Sequence, residues 1–140
     1  MRIVPIRLSL SNVYLVVDER PILVDAGGPK DGKQITAALA KEGVQLTDLA
    51  LIVLTHGHAD HAGAARDLHE WSGAPVVLHA ADAHMAAAGH NDPLHPVGLE
   101  AWMVLPFVNF PFPPFMPDIV VERPLDLRSF GVEGTLLPWA

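Results

Sequence analysis

A seven-residue run, T-H-G-H-A-D-H, constrains this chain most, since it places three imidazoles and a carboxylate within six positions. These side chains are His56, His58, Asp60 and His61. Neutral imidazole and carboxylate are the ligands that borderline divalent metals such as zinc prefer. The run follows the apolar residues 49–54, which are predicted to form a buried strand. Because a loop after a strand presents alternate residues on one side, the first two histidines are expected to converge on one ion, and the aspartate and the last histidine on a second.

A loop of solvated surface histidines is the alternative interpretation of this run. Packing three histidines so tightly gains nothing without a partner for their charge. The length of the run and its position after an apolar strand therefore favour a metal site.

The run H-x-H-x-D-H, followed here by Ala62 and Gly63, resembles the metal-binding signature of the metallo-β-lactamase superfamily. The resemblance implies an α/β fold, namely the N-terminal half of an αββα sandwich with a mixed sheet and flanking helices. It also implies that the first two histidines are ligands of a first ion, and that the aspartate and third histidine are ligands of a second. The implied cofactor is Zn²⁺, up to two ions per complete site, with another divalent metal as the alternative.

The same resemblance implies what the chain does. The implied function is metal-dependent hydrolysis of a small thioester, lactone or ester, of the glyoxalase II or lactonase type, by attack of a metal-bound hydroxide. Asp60 is the implied catalytic residue, since family members use this aspartate to pass a proton to the leaving group. The alternative is a non-catalytic, truncated remnant or an assembly subunit of the same fold.

The resemblance covers residues 1–140 as a single domain, which corresponds to about the first half of the family's domain. Family members carry a further histidine in a P-G-H-T stretch, then a bridging aspartate and a last histidine. The last of the eight histidines in this sequence is His95, so these later ligands are expected to lie outside residues 1–140. Association with a missing C-terminal half, or with a second copy of the chain, is therefore expected.

The amino-acid composition excludes some classes of binding partner. The formal net charge of −7 and the pI near 5.5 argue against nucleic acid or an anionic membrane surface as a partner. The resemblance implies a small-molecule substrate as the partner. The sequence contains no cysteine, so thiolate metal ligands are excluded. The first residues do not resemble a secretory signal, and a cytoplasmic location is the expectation.

The pattern of apolar residues predicts short strands followed by alternating helices and strands. Strands are predicted over residues 3–8, 13–17, 22–24, 49–54, 75–78, 119–122 and 132–137. Helices are predicted over residues 31–41, from about 60 to 71, and over 79–88. Several strands are apolar on both faces, so the inner face of the sheet should need a partner, most simply in a two-fold homodimer.

Residues 106–117 alternate proline with phenylalanine. Proline at this density is expected to exclude regular helix, and so many phenylalanines argue against disorder. We expect an ordered covering loop packed over the core, or a flap over the substrate or a subunit contact. The phenylalanines expected to contribute to a subunit contact are Phe107, Phe110, Phe112 and Phe115.

Several residues outside the run are expected to support it. By its resemblance to a family aspartate at the end of an early strand, Asp25 is expected to hold the metal loop by hydrogen bonds without touching metal. Gly57 and Gly63 are expected to permit tight turns and close approach of a helix to the strands. Of the scattered histidines, His90 and His95 are the best candidates for a replacement ligand.

Overall fold

A six-stranded mixed sheet is the centre of the fold in the computed structural model, which describes residues 1–93 and 98–138. In sheet order its strands are β1 (Arg2–Arg7), β2 (Asn12–Val17), β3 (Pro21–Val24), β4 (Leu51–Val53), β5 (Val76–His79) and β6 (Ile119–Val121). The helices are α1 (Gly32–Lys41), α2 (Ala59–Ala62), α3 (Ala65–Ser72), α4 (Ala83–Ala88) and α5 (Leu99–Val108). A separate hairpin pairs β7 (Leu125–Asp126) with β8 (Thr135–Leu136). This is the α/β architecture with flanking helices that the sequence predicts.

The type of strand pairing changes once across the sheet, at β3. The pairs β1–β2 and β2–β3 are antiparallel, whereas β3 to β6 pair in parallel. Parallel neighbours need crossover connections, which the intervening helices supply. Strand β4 therefore lies inside the sheet, and the histidine-rich run begins beyond its carboxyl end, as predicted. The strand is shorter than residues 49–54 because Leu49 still closes a preceding 3₁₀ turn by donating its N–H to the Leu46 carbonyl.

Helix α1 confirms the prediction for residues 31–41. Asp31 stands at the N-cap position, and its Oδ2 accepts a hydrogen bond from the Gly28 N–H at 2.8 Å. Ile35 and Leu39 are fully buried one turn apart, which is the helical spacing the sequence shows. The chain leaves the helix at Gly43, whose φ of +75° is readily accessible to glycine.

The helix predicted from about residue 60 to 71 is two helices, α2 and α3. The break has a tertiary cause: the Gly63 N–H donates to the Gly27 carbonyl at 2.8 Å instead of bonding back along its own helix. The helix predicted over 79–88 is likewise a 3₁₀ turn, Ala80–Asp82, followed by α4. His79, predicted as the first helical residue, is instead the last residue of β5, and its Nδ1 accepts from the Ala81 N–H at 3.0 Å.

Two apolar clusters lie on opposite faces of the sheet. The first packs strand residues such as Leu15, Leu23 and Ile52 against α1, α3 and α4. The second packs Leu51 and Val53, which alternate with the first set, against residues 127–136. The two-sided apolar strands predicted from the sequence are therefore buried on both faces at the centre of the sheet.

The C-terminal segment partly covers the face that was expected to need a partner. Leu127 and Val132 pack on that face together with the partly buried Phe130 and Leu136. Cover ends toward β1 and β2, where Ile3 is 60% exposed and Tyr14 is 38% exposed. Both side chains share this face, since Ile3 pairs with Val16 of the second cluster and Tyr14 alternates with Leu15 of the first.

The proline- and phenylalanine-rich segment packs on the core. Helix α5 runs through Pro106 to Val108, so the expectation that proline excludes helix is wrong for those positions. A proline in the last turn removes a single backbone hydrogen bond, and the Asn109 N–H still donates to the Leu105 carbonyl. Residues 109–117 form neither helix nor strand, and the Phe112 N–H donates to Gly89.

The described phenylalanine side chains of this segment pack within the chain. Phe112 is buried in the first cluster, and Phe110 and Phe115 pack against it. These three side chains therefore lie on the helix-covered side of the sheet, and their expected role in a subunit contact stays a prediction. The side chain of Phe107 lies outside the described part of the structure.

Helix α5 presents exposed apolar side chains: Leu99, Trp102 and Met103 share one face at helical spacing. The helix has 10 residues. No helix within residues 1–93 and 98–138 is long and apolar enough to cross a bilayer.

Candidate metal centre

Residues 55–61, here called the metal loop, bring the predicted ligands together at the carboxyl end of β4. Ligand atoms of His56, His58 and Asp60 all lie within 4.8 Å of one another. The His56 ring lies 4.9 Å from the His58 ring and 4.0 Å from the His61 ring, measured between centroids. All four predicted side chains thus meet in one partly exposed cluster, and their division between two ions stays a prediction.

The fourth predicted ligand, His61, contacts both the His56 ring and Asp60. Its Nε2 lies 3.4 Å from Asp60 Oδ2, and its Nδ1 lies 3.0 Å from Asp25 Oδ2. A carboxylate accepts, so Nδ1 carries the proton that is donated to Asp25. This leaves Nε2 as the ring atom that faces the cluster.

Asp25 anchors the loop from the end of β3, as expected. It is buried, and its carboxylate accepts from the Thr55 N–H and from the Thr55 hydroxyl, each at 2.8 Å, besides His61. Its backbone has φ of +69°, a left-handed conformation uncommon outside glycine. Such a conformation persists where surrounding contacts over-determine it, and these hydrogen bonds do so.

Thr55 also fixes the tautomer of the first histidine. Its single hydroxyl proton is donated to Asp25, and its oxygen lies 3.0 Å from His56 Nδ1. The His56 Nδ1–H must therefore be the donor to Thr55, which leaves the Nε2 lone pair available to an ion. Sequence reasoning missed this link.

The protonation of the cluster follows from burial and mutual contact. Burial lowers the pKa of His56, and the neighbouring His61 and His58 lower it further. Burial by itself would lower the pKa of His61, but hydrogen bonds to Asp25 and Asp60 outweigh it and raise that pKa to about 9. Burial would raise the pKa of Asp60, but the hydrogen bond and charge of His61 bring it below its ordinary value. At neutral pH His56 is therefore a neutral candidate ligand, and Asp60 is an anionic one.

Helix α2 docks against the loop that follows β3. The Ala26 N–H donates to the His61 carbonyl at 2.8 Å, which adds to the Gly63–Gly27 hydrogen bond. A Cβ on Gly63 would lie within 2.5 Å of backbone atoms of Ala59, Pro29 and Gly28. Gly63 is therefore required for the close approach, as the sequence predicts.

Two side chains from the segment after β5 hold the other side of the metal loop. Asp82 Oδ2 accepts from the Gly57 N–H at 3.0 Å, and Asn91 Oδ1 accepts from the Ala59 N–H at 2.8 Å. Sequence reasoning missed both residues. The available signal is the sequence H-N-D-P after a predicted helix, which by itself indicates no more than a position near a pocket mouth.

The remaining histidines are engaged elsewhere. His69 Nδ1 donates to the Ala74 carbonyl at 2.7 Å, and His84 Nε2 contacts the Asp92 carboxylate at 2.7 Å. His90 Nδ1 bonds the Asn91 carbonyl at 2.9 Å and, within the described residues, is not part of the ligand group. The other proposed replacement ligand, His95, lies outside the described residues.

The donor set fits a divalent ion. Two imidazoles and a carboxylate converge, with His56 oriented by a hydrogen bond from its second ring nitrogen, which is how protein metal ligands are held. The cluster is partly exposed, so a substrate has access to it. Catalytic zinc sites combine three protein ligands with an open position, and this group supplies three.

The family model described as "Metallo-beta-lactamase superfamily" matches residues 6–140. Among curated proteins, "Metallo-beta-lactamase domain-containing protein 1" of Homo sapiens is 54% identical over 43 residues, covering 31% of this chain and 16% of that protein. A "Hydroxyacylglutathione hydrolase" of Fuscovulum blasticum is 45% identical over 65 residues, covering 46% of this chain and 23% of that protein.

A solved structure agrees with the fold. The Cronobacter sakazakii metallo-β-lactamase with a HARLDQ motif is 28% identical, with a TM-score of 0.64 over 80% of this chain and 40% of that chain. The chain spans less than half the length of each of these three proteins.

Proposed function

This chain belongs to the metallo-β-lactamase superfamily, and from that premise we propose that it provides the metal-binding half of a hydrolase acting on a small thioester, lactone or ester. The observation that carries the proposal is the convergence of His56, His58 and Asp60 within 4.8 Å at the end of β4. We propose Zn²⁺ as the ion, because two imidazoles and a carboxylate suit a borderline metal.

A divalent ion in this group would lower the pKa of a water bound to it to about 7, which is the chemistry that hydrolysis at neutral pH needs. The side chains of this chain would hold the ion and set the local charge. His56, held neutral and oriented through Thr55, would contribute Nε2. His61 would take part through its own Nε2 after losing the proton that it shares with Asp60.

Asp60 is the residue that we propose for proton transfer. Its lowered pKa keeps the carboxylate ionised and able to accept a proton at neutral pH. It lies beside His61 in the partly exposed cluster, so a leaving group bound there is within its reach. The Ser11 hydroxyl donates to the Asp60 backbone carbonyl at 2.6 Å and helps to fix its position.

The substrate class rests on the neighbourhood and on the relatives. A surface depression of about 380 Å³ lies between the β1–β2 loop and the β3–α1 loop, lined by Leu10, Lys30 and Phe110 among others. Both loops are hydrogen-bonded to the segment that contains Asp60, His61 and Gly63. The lining also contains Asp31 beside Lys30, so its charge is balanced and its apolar side chains suit a small acyl or aryl group. A relative named a hydroxyacylglutathione hydrolase favours thioesters first.

Calorimetry with Zn²⁺ and a screen of thioesters, lactones and aryl esters test the proposal on residues 1–140. We expect binding that His56→Ala and Asp60→Asn each weaken at least tenfold, with hydrolysis falling in parallel. His69→Ala is the matched control, because its ring bonds Ala74 away from the loop. Zn²⁺ affinity unchanged by the ligand variants would exclude this site. Tight Zn²⁺ binding without hydrolysis would favour the second candidate, a non-catalytic assembly subunit.

We further propose that the sheet face bearing Ile3 and Tyr14 packs on a second copy of the chain or on the remainder of a longer protein. The support is the exposure of these apolar side chains beside the covered second cluster. Sedimentation velocity of Ile3→Glu against the wild type tests self-association; a wild-type monomer at micromolar concentration contradicts the homodimer. The expected cytoplasmic location stays a prediction.

A further inference from the structure

Two backbone N–H groups of the metal loop are anchored from outside the loop. Gly57, which donates to Asp82, lies between His56 and His58 in sequence. Ala59, which donates to Asn91, lies between His58 and Asp60. Each hydrogen bond therefore fixes the backbone between two consecutive ligands.

We propose that Asp82 and Asn91 are positioning residues that set the metal affinity of the loop without touching the ion. The inference rests on the proposed metal site and adds residues to it that lie outside the H-x-H-x-D-H run. Ligand atoms within 4.8 Å of one another require fixed backbone directions at three successive alternate residues. The two anchors act on the peptide groups that directly follow His56 and His58.

The role of Asn91 follows from the start of α2. The first N–H groups of a helix lack partners within the helix, and a Ser, Thr, Asp or Asn at the N-cap usually accepts from one of them. Here the N-cap position is His58, whose side chain makes no capping hydrogen bond. A side chain committed to an ion cannot also cap, and Asn91 instead satisfies the first of these groups by accepting from the Ala59 N–H. Its burial, 5% exposed, makes this acceptor costly to lose.

The role of Asp82 is supported by close packing. A Cβ on Gly57 would lie 3.1 Å from both the Cβ and the backbone oxygen of Asp82, and 3.3 Å from Met85 Cε. The metal loop and the start of α4 are therefore in direct contact. A shift of the Asp82 segment would displace Gly57 and with it both neighbouring histidines.

The segment that carries the two anchors is tied to the rest of the fold. Gly89 and Ala86 accept backbone hydrogen bonds from Phe112 and Phe115 at 2.9 and 3.0 Å. Phe112 is buried in the first cluster. The anchors therefore project from a packed segment, which is what holding a ligand loop within a fraction of an ångström requires.

Co²⁺ titration followed by visible absorption, with Zn²⁺ competition, tests the inference on residues 1–140. Asp82→Ala and Asn91→Ala should each weaken metal binding about 10- to 100-fold and change the cobalt ligand-field bands. Asp82→Asn keeps an acceptor oxygen but removes the charge, so it should restore most of the affinity. Asn91→Asp likewise keeps the acceptor.

Asp118→Ala is the matched control. Asp118 Oδ2 accepts from the Val76 N–H at 2.8 Å, the same type of bond at the opposite end of β5. It should lower thermal stability without changing Co²⁺ affinity or spectrum. Amide exchange of metal-free protein gives a second readout: the Gly57 and Ala59 amides should lose protection in the respective alanine variants.

Three outcomes would overturn the inference. Alanine variants with wild-type Co²⁺ affinity and spectrum would overturn it alone and leave the metal site intact. If Asp82→Asn binds Co²⁺ as weakly as Asp82→Ala, the loss of affinity is due to the missing charge. If Asp118→Ala binds Co²⁺ as weakly as the Asp82 or Asn91 alanine variants, the loss is due to general destabilisation. Wild-type protein that binds no Co²⁺ would overturn the proposed function together with this inference.

Discussion

The metal loop is held from two sides, and the two sides make different kinds of contact. On the β3 side, the buried Asp25 carboxylate accepts hydrogen bonds from Thr55 and His61. On the same side, Gly63 lets α2 pack closely against the backbone of Gly28 and Pro29. On the β5 side, Asp82 and Asn91 each accept a hydrogen bond from a backbone N–H of the loop. The first side combines buried charge with close packing, so it should dominate stability. The second side lacks the backbone-to-backbone packing of the first, so its main effect should be on ligand geometry.

The largest expected effect is on the β3 side, at Gly63. Gly63→Ala should lower the free energy of unfolding by about 3 kcal/mol or more, because the added Cβ meets backbone atoms that cannot move aside. Helix propensity acts the other way by only about 1 kcal/mol, since Gly63 has helical dihedral angles. Urea unfolding of metal-free protein measures the change. Gly134→Ala is the control, since nothing lies within 4 Å of its added Cβ; equal effects would refute the packing argument.

Removing the Asp25 carboxylate, on the same side, should lower the free energy of unfolding slightly less than Gly63→Ala does. Asp25→Ala leaves the Thr55 N–H and the His61 ring without their buried acceptor, which predicts a loss of about 2–3 kcal/mol. Asp25→Gly removes the same hydrogen bonds but accepts φ of +69°, so it should be about 1 kcal/mol more stable than Asp25→Ala. Urea unfolding of both variants checks this; an alanine variant as stable as the glycine variant would contradict the strain.

The charge on the β3 side predicts a pH dependence of the metal-free protein. The pKa of His61 is raised from its ordinary value of 6.5 to about 9, so its contribution is complete below about pH 6.5 and is lost as the pH rises through 9. A shift of this size is worth at most about 3 kcal/mol, and partial exposure reduces it. Urea midpoints in EDTA from pH 6 to 10 should therefore fall by an amount equivalent to about 1–2 kcal/mol.

His61→Asn supplies the control for that dependence. An asparagine amide can still donate to Asp25 but does not titrate. The variant should show a flatter stability profile between pH 6.5 and 9. A wild-type profile that rises over this range would have the wrong sign for a raised histidine pKa.

The two sides also differ in how well the sequence predicts them. The β3 side can be predicted because one strand ends in V-D-A-G and a later apolar strand ends in the histidine run. Parallel neighbouring strands place these two ends side by side. The resemblance further identifies Asp25 as a supporting residue. The α1 helix and the need for Gly63 are predictable for similar local reasons.

The contacts of the β5 side cannot be predicted from the sequence in this way. Asp82 and Asn91 are separated from their partners by 25 and 32 residues, and a single polar residue in an alanine-rich helix region has no distinctive pattern. The break between α2 and α3 escapes prediction for the same reason, because the Gly63–Gly27 hydrogen bond is tertiary. The packing of residues 127–136 on the second sheet face also depends on contacts that periodicity does not reveal.

The smallest expected effect on stability is at Gly57, on the β5 side. Gly57→Ala places a Cβ 3.1 Å from Asp82, a contact that a small shift can relieve, so the free energy of unfolding should fall by only about 1 kcal/mol. The shift moves the peptide group between His56 and His58, so Zn²⁺ affinity should fall about tenfold or more. Urea unfolding in EDTA and calorimetry with Zn²⁺ separate the two quantities. Gly63→Ala should show a larger loss of stability than Gly57→Ala; if Gly57→Ala instead lowers stability more and leaves affinity unchanged, the two sides do not divide stability from ligand geometry.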